Sequence, residues 1–193
     1  MIGIVLLLLT FLLSNILSYR ELKQQITNSN ENSVKLYMNQ IDNEFDRLER
    51  NLLDFLLNDD DMMLLDAAID TDHTVLTIQV ISNKLIQMSS LFDEFDGLFV
   101  YNDKKNILVY QNRSGSSGDE KIYLGEYITN IIKNDNVKSD KNWFWAKIYS
   151  RYYFIRCIKD GNNYVGAFVR ADVFLDNLNS IINNQMNYVF FCR

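Results

Sequence analysis

Apolar and polar positions alternate with a different rhythm in successive stretches of the chain. Residues 1–17, MIGIVLLLLTFLLSNIL, are apolar except for Thr10, Ser14 and Asn15 and carry no charge. At about 1.5 Å per residue such a helix spans roughly 26 Å, close to the ~30 Å hydrocarbon core of a bilayer. The pattern predicts a membrane helix over residues 1–18. A signal peptide is the main alternative, although it calls for a basic start and a small-x-small cleavage site, and neither stands here; a buried core helix is the plainer one. From Val34 the apolar residues fall at Val34, Met38, Ile41, Phe45, Leu48, Leu52 and Phe55, in steps of four and three. That is the stripe of a long amphipathic helix, with Lys35, Asp42, Glu44, Asp46, Arg47, Glu49 and Arg50 on its solvated side. The stripe can pack on its own domain, form a dimer seam, or do both. Asn58, Asp59, Asp60 and Asp61 then stop the helix and cap the next one, because short polar side chains compete for backbone hydrogen bonds. Val75, Ile78, Ile81, Leu85 and Met88 mark a second helical stretch over residues 73–91.

Beyond it the rhythm shortens. GLFVY (97–101) and ILVYQ (107–111), separated by NDKKN, predict a hairpin. RSGSSGDE reads as a loop, and KIYLGEYITNIIKN as a short helix. WFWAKIY (143–149), RYYFIRCIK (151–159) and NYVGAFVRA (163–171) are rich in aromatic and β-branched residues and are joined by Ser150 and by Asp160-Gly161, which predicts a three-stranded meander. DVFLDNLNSII follows as an amphipathic segment and NYVFF as a final strand. The expected fold class is α+β: a five-stranded antiparallel sheet with helices on one face, a long N-terminal helix and a preceding transmembrane helix. This is the element order of a PAS-like module.

Charge and composition narrow the function. The net charge is −6, from 19 Lys and Arg against 25 Asp and Glu, so no basic footprint for nucleic acid exists. One histidine, His73, and two cysteines, Cys157 and Cys192, cannot build a zinc ribbon or a disulfide-dense scaffold. No metal and no cofactor is expected. No nucleophile with a base, no Gly-rich phosphate loop and no paired acids at catalytic spacing can be read, so the chain is not expected to be an enzyme. Arg20 and Lys23 follow the apolar run, and the positive-inside rule taken alone would put the bulk of the chain in the cytoplasm.

Four features together resemble the extracytoplasmic Cache sensor region of bacterial membrane receptors, notably sensor histidine kinases of the YesM type and membrane-anchored AraC-type regulators. They are the uncharged run leading into VKLYMNQIDNEFDRLERNLLDFL, the phrase LFDEFDGLFVYN, the meander YYFIRCIKDGNNYVGAFVRAD, and DVFLDNLNSI after it. The resemblance implies a transmembrane helix at 1–18, a long signalling helix at 19–57, a Cache-like sensor domain at 58–185, and the start of a second module at 186–193. It places the sensor outside the cytoplasm, against the charge rule, with the chain single-pass at the cell membrane and a homodimer formed through the long helix. A receptor of this kind returns through the membrane to its kinase or transcription domain, so the chain reads as a fragment of a two-component or related signal-transduction protein.

By the same resemblance, amino-acid-binding modules use an Arg-x-Trp-Tyr stretch for the ligand carboxylate and a later Asp for its ammonium group. Lys141-Asn142-Trp143-Phe144 resembles the first and Asp172 the second. Lys141 lacks the bidentate fork of Arg, and Phe144 lacks the hydroxyl. Tyr101 and Tyr110, at strand ends, complete a candidate ligand set of Tyr101, Tyr110, Lys141, Trp143, Phe144 and Asp172 for an amino acid, a sugar or a carboxylate. The residues also carry plainer readings. Trp143, Trp145, Tyr153 and Phe168 fit a sheet core, Arg156 and Arg170 fit solvent or ion pairing, Asp172 fits a helix N-cap, and Cys157 fits a buried thiol, its pairing with Cys192 left open. A partner- or stress-sensing module on a membrane anchor, without a small ligand, is the second functional reading.

Overall fold

The computed structural model describes residues 2–67, 71–92, 95–112, 118–134, 143–174 and 176, apart from the side chains of Ile2, Val5, Leu6, Leu8, Leu9 and Thr71. In chain order the elements are α1 (Ile2–Asn58), α2 (Asp60–Ala67), α3 (Thr71–Ser89), β1 (Gly97–Asn102), β2 (Ile107–Asn112), α4 (Gly118–Lys133), β3 (Phe144–Ile148), β4 (Arg151–Asp160) and β5 (Asn163–Arg170). The chain divides into two units, residues 1–42 with 176–193, and residues 43–175.

In the first unit the described residues, Asp176 apart, belong to the amino-terminal part of α1. Ile4, Leu7, Phe11, Leu12, Leu13, Ile16 and Leu17 are all exposed, and at 3.6 residues per turn they point around the whole helix rather than along one stripe. Among the described residues no helix is long and apolar enough to cross a membrane. The expected span 1–18 includes residues outside that set, and the expected second module at 186–193 lies wholly outside it.

The second unit is the α+β domain. Its α1 portion follows the sequence stripe, with Leu48, Leu52 and Phe55 buried. At Asp59 the helix stops, and the Asp59 carboxylate accepts a hydrogen bond from the Asp61 backbone N–H at 2.9 Å, capping α2. Lys84 on α3 reaches back to Asp59 at 2.7 Å and also pairs with Asp61, so the cap ties α3 to α2. The β1–β2 hairpin turns through residues 103–106. Asn106 takes a left-handed φ of 52°, which Asn tolerates, and the Asn102 side chain accepts the Lys105 N–H at 2.9 Å. Gly161 supplies the left-handed residue of the β4–β5 turn.

All five strands pair antiparallel, in the spatial order β2-β1-β5-β4-β3. Both faces of this sheet are covered. On one, Leu98, Val100, Val165, Ala167 and Val169 pack with Leu48 and Leu52 of α1, Met62 and Leu65 of α2, and Ile81 and Leu85 of α3. On the other, Phe99, Tyr101, Tyr153, Ile155, Cys157, Tyr164 and Phe168 pack with Leu124, Ile128 and Ile132 of α4. The expectation of helices on one face is therefore corrected. Every residue of β1 is buried, as is every residue of β5 except the terminal Arg170, so neither strand has a solvent side and α4 must close the second face.

Two details fix how tightly the layers meet. Phe168 lies opposite Gly97, and Phe99 opposite Gly166. Each ring covers its facing glycine: a Cβ at Gly97 would overlap the Phe168 ring and the Gln111 carbonyl, and one at Gly166 would overlap the Phe99 ring and the Arg156 carbonyl. On the opposite face the buried Arg156 donates from Nη2 to Glu49 Oε1 of α1 at 2.6 Å. This is the carboxylate pairing that one sequence reading of Arg156 offered.

Substituting Gly97 or Gly166 by Ala should lower stability by about 1–3 kcal/mol through overpacking, and Leu52→Ala by about 2–5 kcal/mol through loss of a fully buried side chain. Gly125→Ala, whose Cβ would meet the Leu108 side chain only at 3.4 Å, should be neutral or stabilising in helix α4. Urea denaturation of the four variants checks the order.

Candidate functional site

The face under α4 gathers the polar and aromatic side chains with the most chemical scope. Residue alternation puts Gly97, Phe99 and Tyr101 of β1 on it, with Leu108 and Tyr110 of β2 beside them. The α4 stripe of Leu124, Ile128 and Ile132 seats the helix on these residues, and its first turn brings Glu120 over β4. The Tyr153 hydroxyl donates to the buried Glu120 carboxylate, and Arg151 Nη1 lies 3.7 Å from the same oxygen. Burial, followed by the hydrogen bond and charge of Glu120, raises the Tyr153 pKa well above the ordinary tyrosine range. Tyr149, beside this cluster, has a left-handed φ of 57° and stacks on Tyr123 of α4 with ring centroids 5.3 Å apart.

Along the outer edge of the sheet, α4 and β2 leave a groove of about 520 Å³, walled by Leu108 and Tyr110 on the strand and by Lys121, Gly125, Glu126 and Thr129 on the helix. Gly125 faces Leu108 and Tyr110 across this groove. Its polar and apolar walls suit a small amphipathic molecule better than a metal ion. Among the described residues no group of three or more His, Cys, Asp or Glu is placed to hold a metal.

The sequence-predicted ligand residues separate in space. Tyr101, Tyr110 and Phe144 share the α4 side. Tyr110 faces the groove, whereas Tyr101 is fully buried and donates its hydroxyl to Asn106 Oδ1 at 3.0 Å. Trp143 lies on the opposite side, edge-on to Phe45 of α1 at 4.3 Å and stacked on Phe95 at 5.6 Å. Asp172 follows β5, more than half exposed, with its carboxylate 3.9 Å from Arg170 Nε. Arg170 is held more closely by Asp96, which accepts from its backbone N–H at 2.6 Å and from its Nε at 2.9 Å. Lys141 lies outside the described residues. Of the residues expected in the sheet core, Tyr153 and Phe168 are buried there, while Trp145 is 62% exposed.

Glu120, Arg151 and Gly125 escaped the sequence reading. Glu120 stood in a loop-like DE pair and Gly125 in an ordinary helical run, and only the docking of α4 gives either a partner. Cys157 carries a free thiol on the α4 side, and its partner in the open pairing question, Cys192, lies outside the described residues. Burial, opposed by Arg156 and Lys159, pushes the Cys157 thiol up from 9.0 to about 12.

Both raised groups stay neutral in the folded chain at pH values where the unfolded chain ionises. Their stabilisation is complete below the unfolded values, 9.0 for Cys157 and 10.0 for Tyr153, and is lost as the pH rises through the folded ones, by about 1.4 kcal/mol per pH unit for each group. Urea midpoints measured against pH should fall from about pH 9. Cys157→Ala should flatten the first part of that fall, and Tyr153→Phe the part above pH 10.

Compared with protein-family models and with curated proteins, the chain has no match.

Proposed function

We propose that the chain is the ligand-sensing, extracytoplasmic domain of a membrane-anchored bacterial signalling receptor, with a PAS-like fold of the Cache kind, and that it transmits through its long N-terminal helix. The observation that carries this reading is the strand order β2-β1-β5-β4-β3 with unlike helices on the two faces. One face is the side of the incoming helix α1. The other is capped by the separate helix α4, beside which lies the Tyr110 groove. A sheet so divided has a side on which a small molecule can bind and a side from which its binding can be read.

Three further features support the reading. The uncharged run at residues 1–17 and the all-round exposure of its described apolar side chains suit a bilayer anchor over 1–18. Helix α1 joins the sheet through a buried cation, Arg156 to Glu49, so a shift of β4 has a direct handle on the helix. The length of α1 suits a dimer spine over residues 19–57, through which two copies would signal together. The output, a histidine kinase or a transcription factor, would lie in a further part of the receptor.

The second reading is a partner-sensing module without a small ligand. Trp145, Tyr149 and Tyr152 favour it, since all three are exposed at the β3–β4 edge of the sheet, and aromatic residues are enriched where proteins meet.

A thermal-shift screen of the full chain in detergent against amino acids, sugars and small carboxylates tests the choice. A ligand at about 100 times its Kd should raise Tm by about 5 °C or more, and Tyr110→Ala should abolish the shift. A cooperatively folded chain that shifts with none of the three classes would leave the partner-sensing reading.

A further inference from the structure

Trp143 and Phe144 are neighbours in sequence and lie on opposite sides of the sheet. Phe144 opens β3 and packs in the α4-side cluster, pairing across the ladder with Ile155. Trp143, one residue earlier, packs in the cluster on the α1 side. There it meets Phe45 of α1 at 4.3 Å and Phe95 at 5.6 Å. Phe45 in turn stacks on Phe174 at 5.7 Å, in the helical turn that leaves the domain after β5. Trp143 stands immediately before β3, and the peptide unit that joins it to Phe144 is planar and rigid. A displacement of one ring therefore moves the other with it.

We propose that the dipeptide Trp143-Phe144 is a lever through the sheet: a change on the α4 side moves Phe144, and Trp143 passes that movement to Phe45 on the incoming helix and, through Phe45, to Phe174 on the outgoing turn. The proposal rests on the sensor reading above and adds to it the route from the binding side to the transmitting side. Two observations favour this place over others along the strands. Phe144 and Trp143 are each only partly buried, whereas β1 and the body of β5 are locked on both faces. Trp143 also touches α1 and the α3–β1 connection at once, so its movement reaches two segments through one ring. Trp143 and Phe144 are on this account positioning residues, not ligand walls.

The lever can be tested on the full chain without any ligand, so a failed ligand screen and a failed lever give different results. Phe144→Leu trims the ring on the α4 side, and hydrogen exchange is followed at residues 43–48 of α1, on the other side. An aromatic contact of the usual strength corresponds to about two- to tenfold faster exchange when it is loosened, and that acceleration is expected at residues 43–48. Ile132→Val removes one methylene group from the last turn of α4, without touching the Trp143-Phe144 pair itself, and should leave exchange at 43–48 within about twofold of the parent. In a Trp145→Phe background Trp143 is the sole tryptophan, and Phe144→Leu should move its emission to longer wavelength. If Phe144→Leu does not fold, Phe144→Tyr, which keeps the ring and places a hydroxyl in the same cluster, serves for both readouts. Unchanged exchange at 43–48, unchanged Trp143 emission, or equal acceleration by Ile132→Val would overturn the lever.

Discussion

The domain depends on one constraint: its two central strands have no side that water can occupy. β1 is buried along its whole length and β5 up to Arg170, so a helix layer is required above and below them. The chain meets the first requirement before the sheet is made, with α1, α2 and α3, and the second in the middle of the sheet, by placing α4 between β2 and β3. The distinction between an α1 side and an α4 side of the sheet follows from this division.

Local chemistry made much of this legible in the sequence. The four-and-three spacing through Leu48, Leu52 and Phe55 marked the buried stripe of α1, Asp59 marked the helix break, and the NDKKN and Asp160-Gly161 turns marked two hairpins. Those signals depend on neighbours within a few residues. Whether helices lie on one face or two depends on long-range docking, which is why α4 was expected beside the others. Phe168 fitted an ordinary sheet core and Phe99 was one position of the strand GLFVY, because nothing near them in sequence announces a glycine across the ladder.

The candidate site was legible in its residue types more than in its geometry. Trp143 and Phe144 stood together as aromatic neighbours, yet they fall on different sides of the sheet where the chain enters β3. Tyr101 and Tyr110 did fall on one face, but only Tyr110 lines the groove. Glu120 illustrates the general difficulty. An acidic residue in a helix's first turn is common because it complements the helix dipole, and its burial against Tyr153 is a fact of tertiary packing alone.

The two phenylalanine–glycine pairs have a consequence for how such a domain could change its contents. A ring resting on a residue with no Cβ is floored by bare backbone, so its volume belongs to a single side chain rather than to an interlocked set. Shortening Phe99 or Phe168 would leave a compact apolar hollow under α4, and hollows of that kind stay dry and accept small hydrocarbons. A fold with two such replaceable plugs can acquire or lose an internal guest by one substitution, with its strand pairing intact.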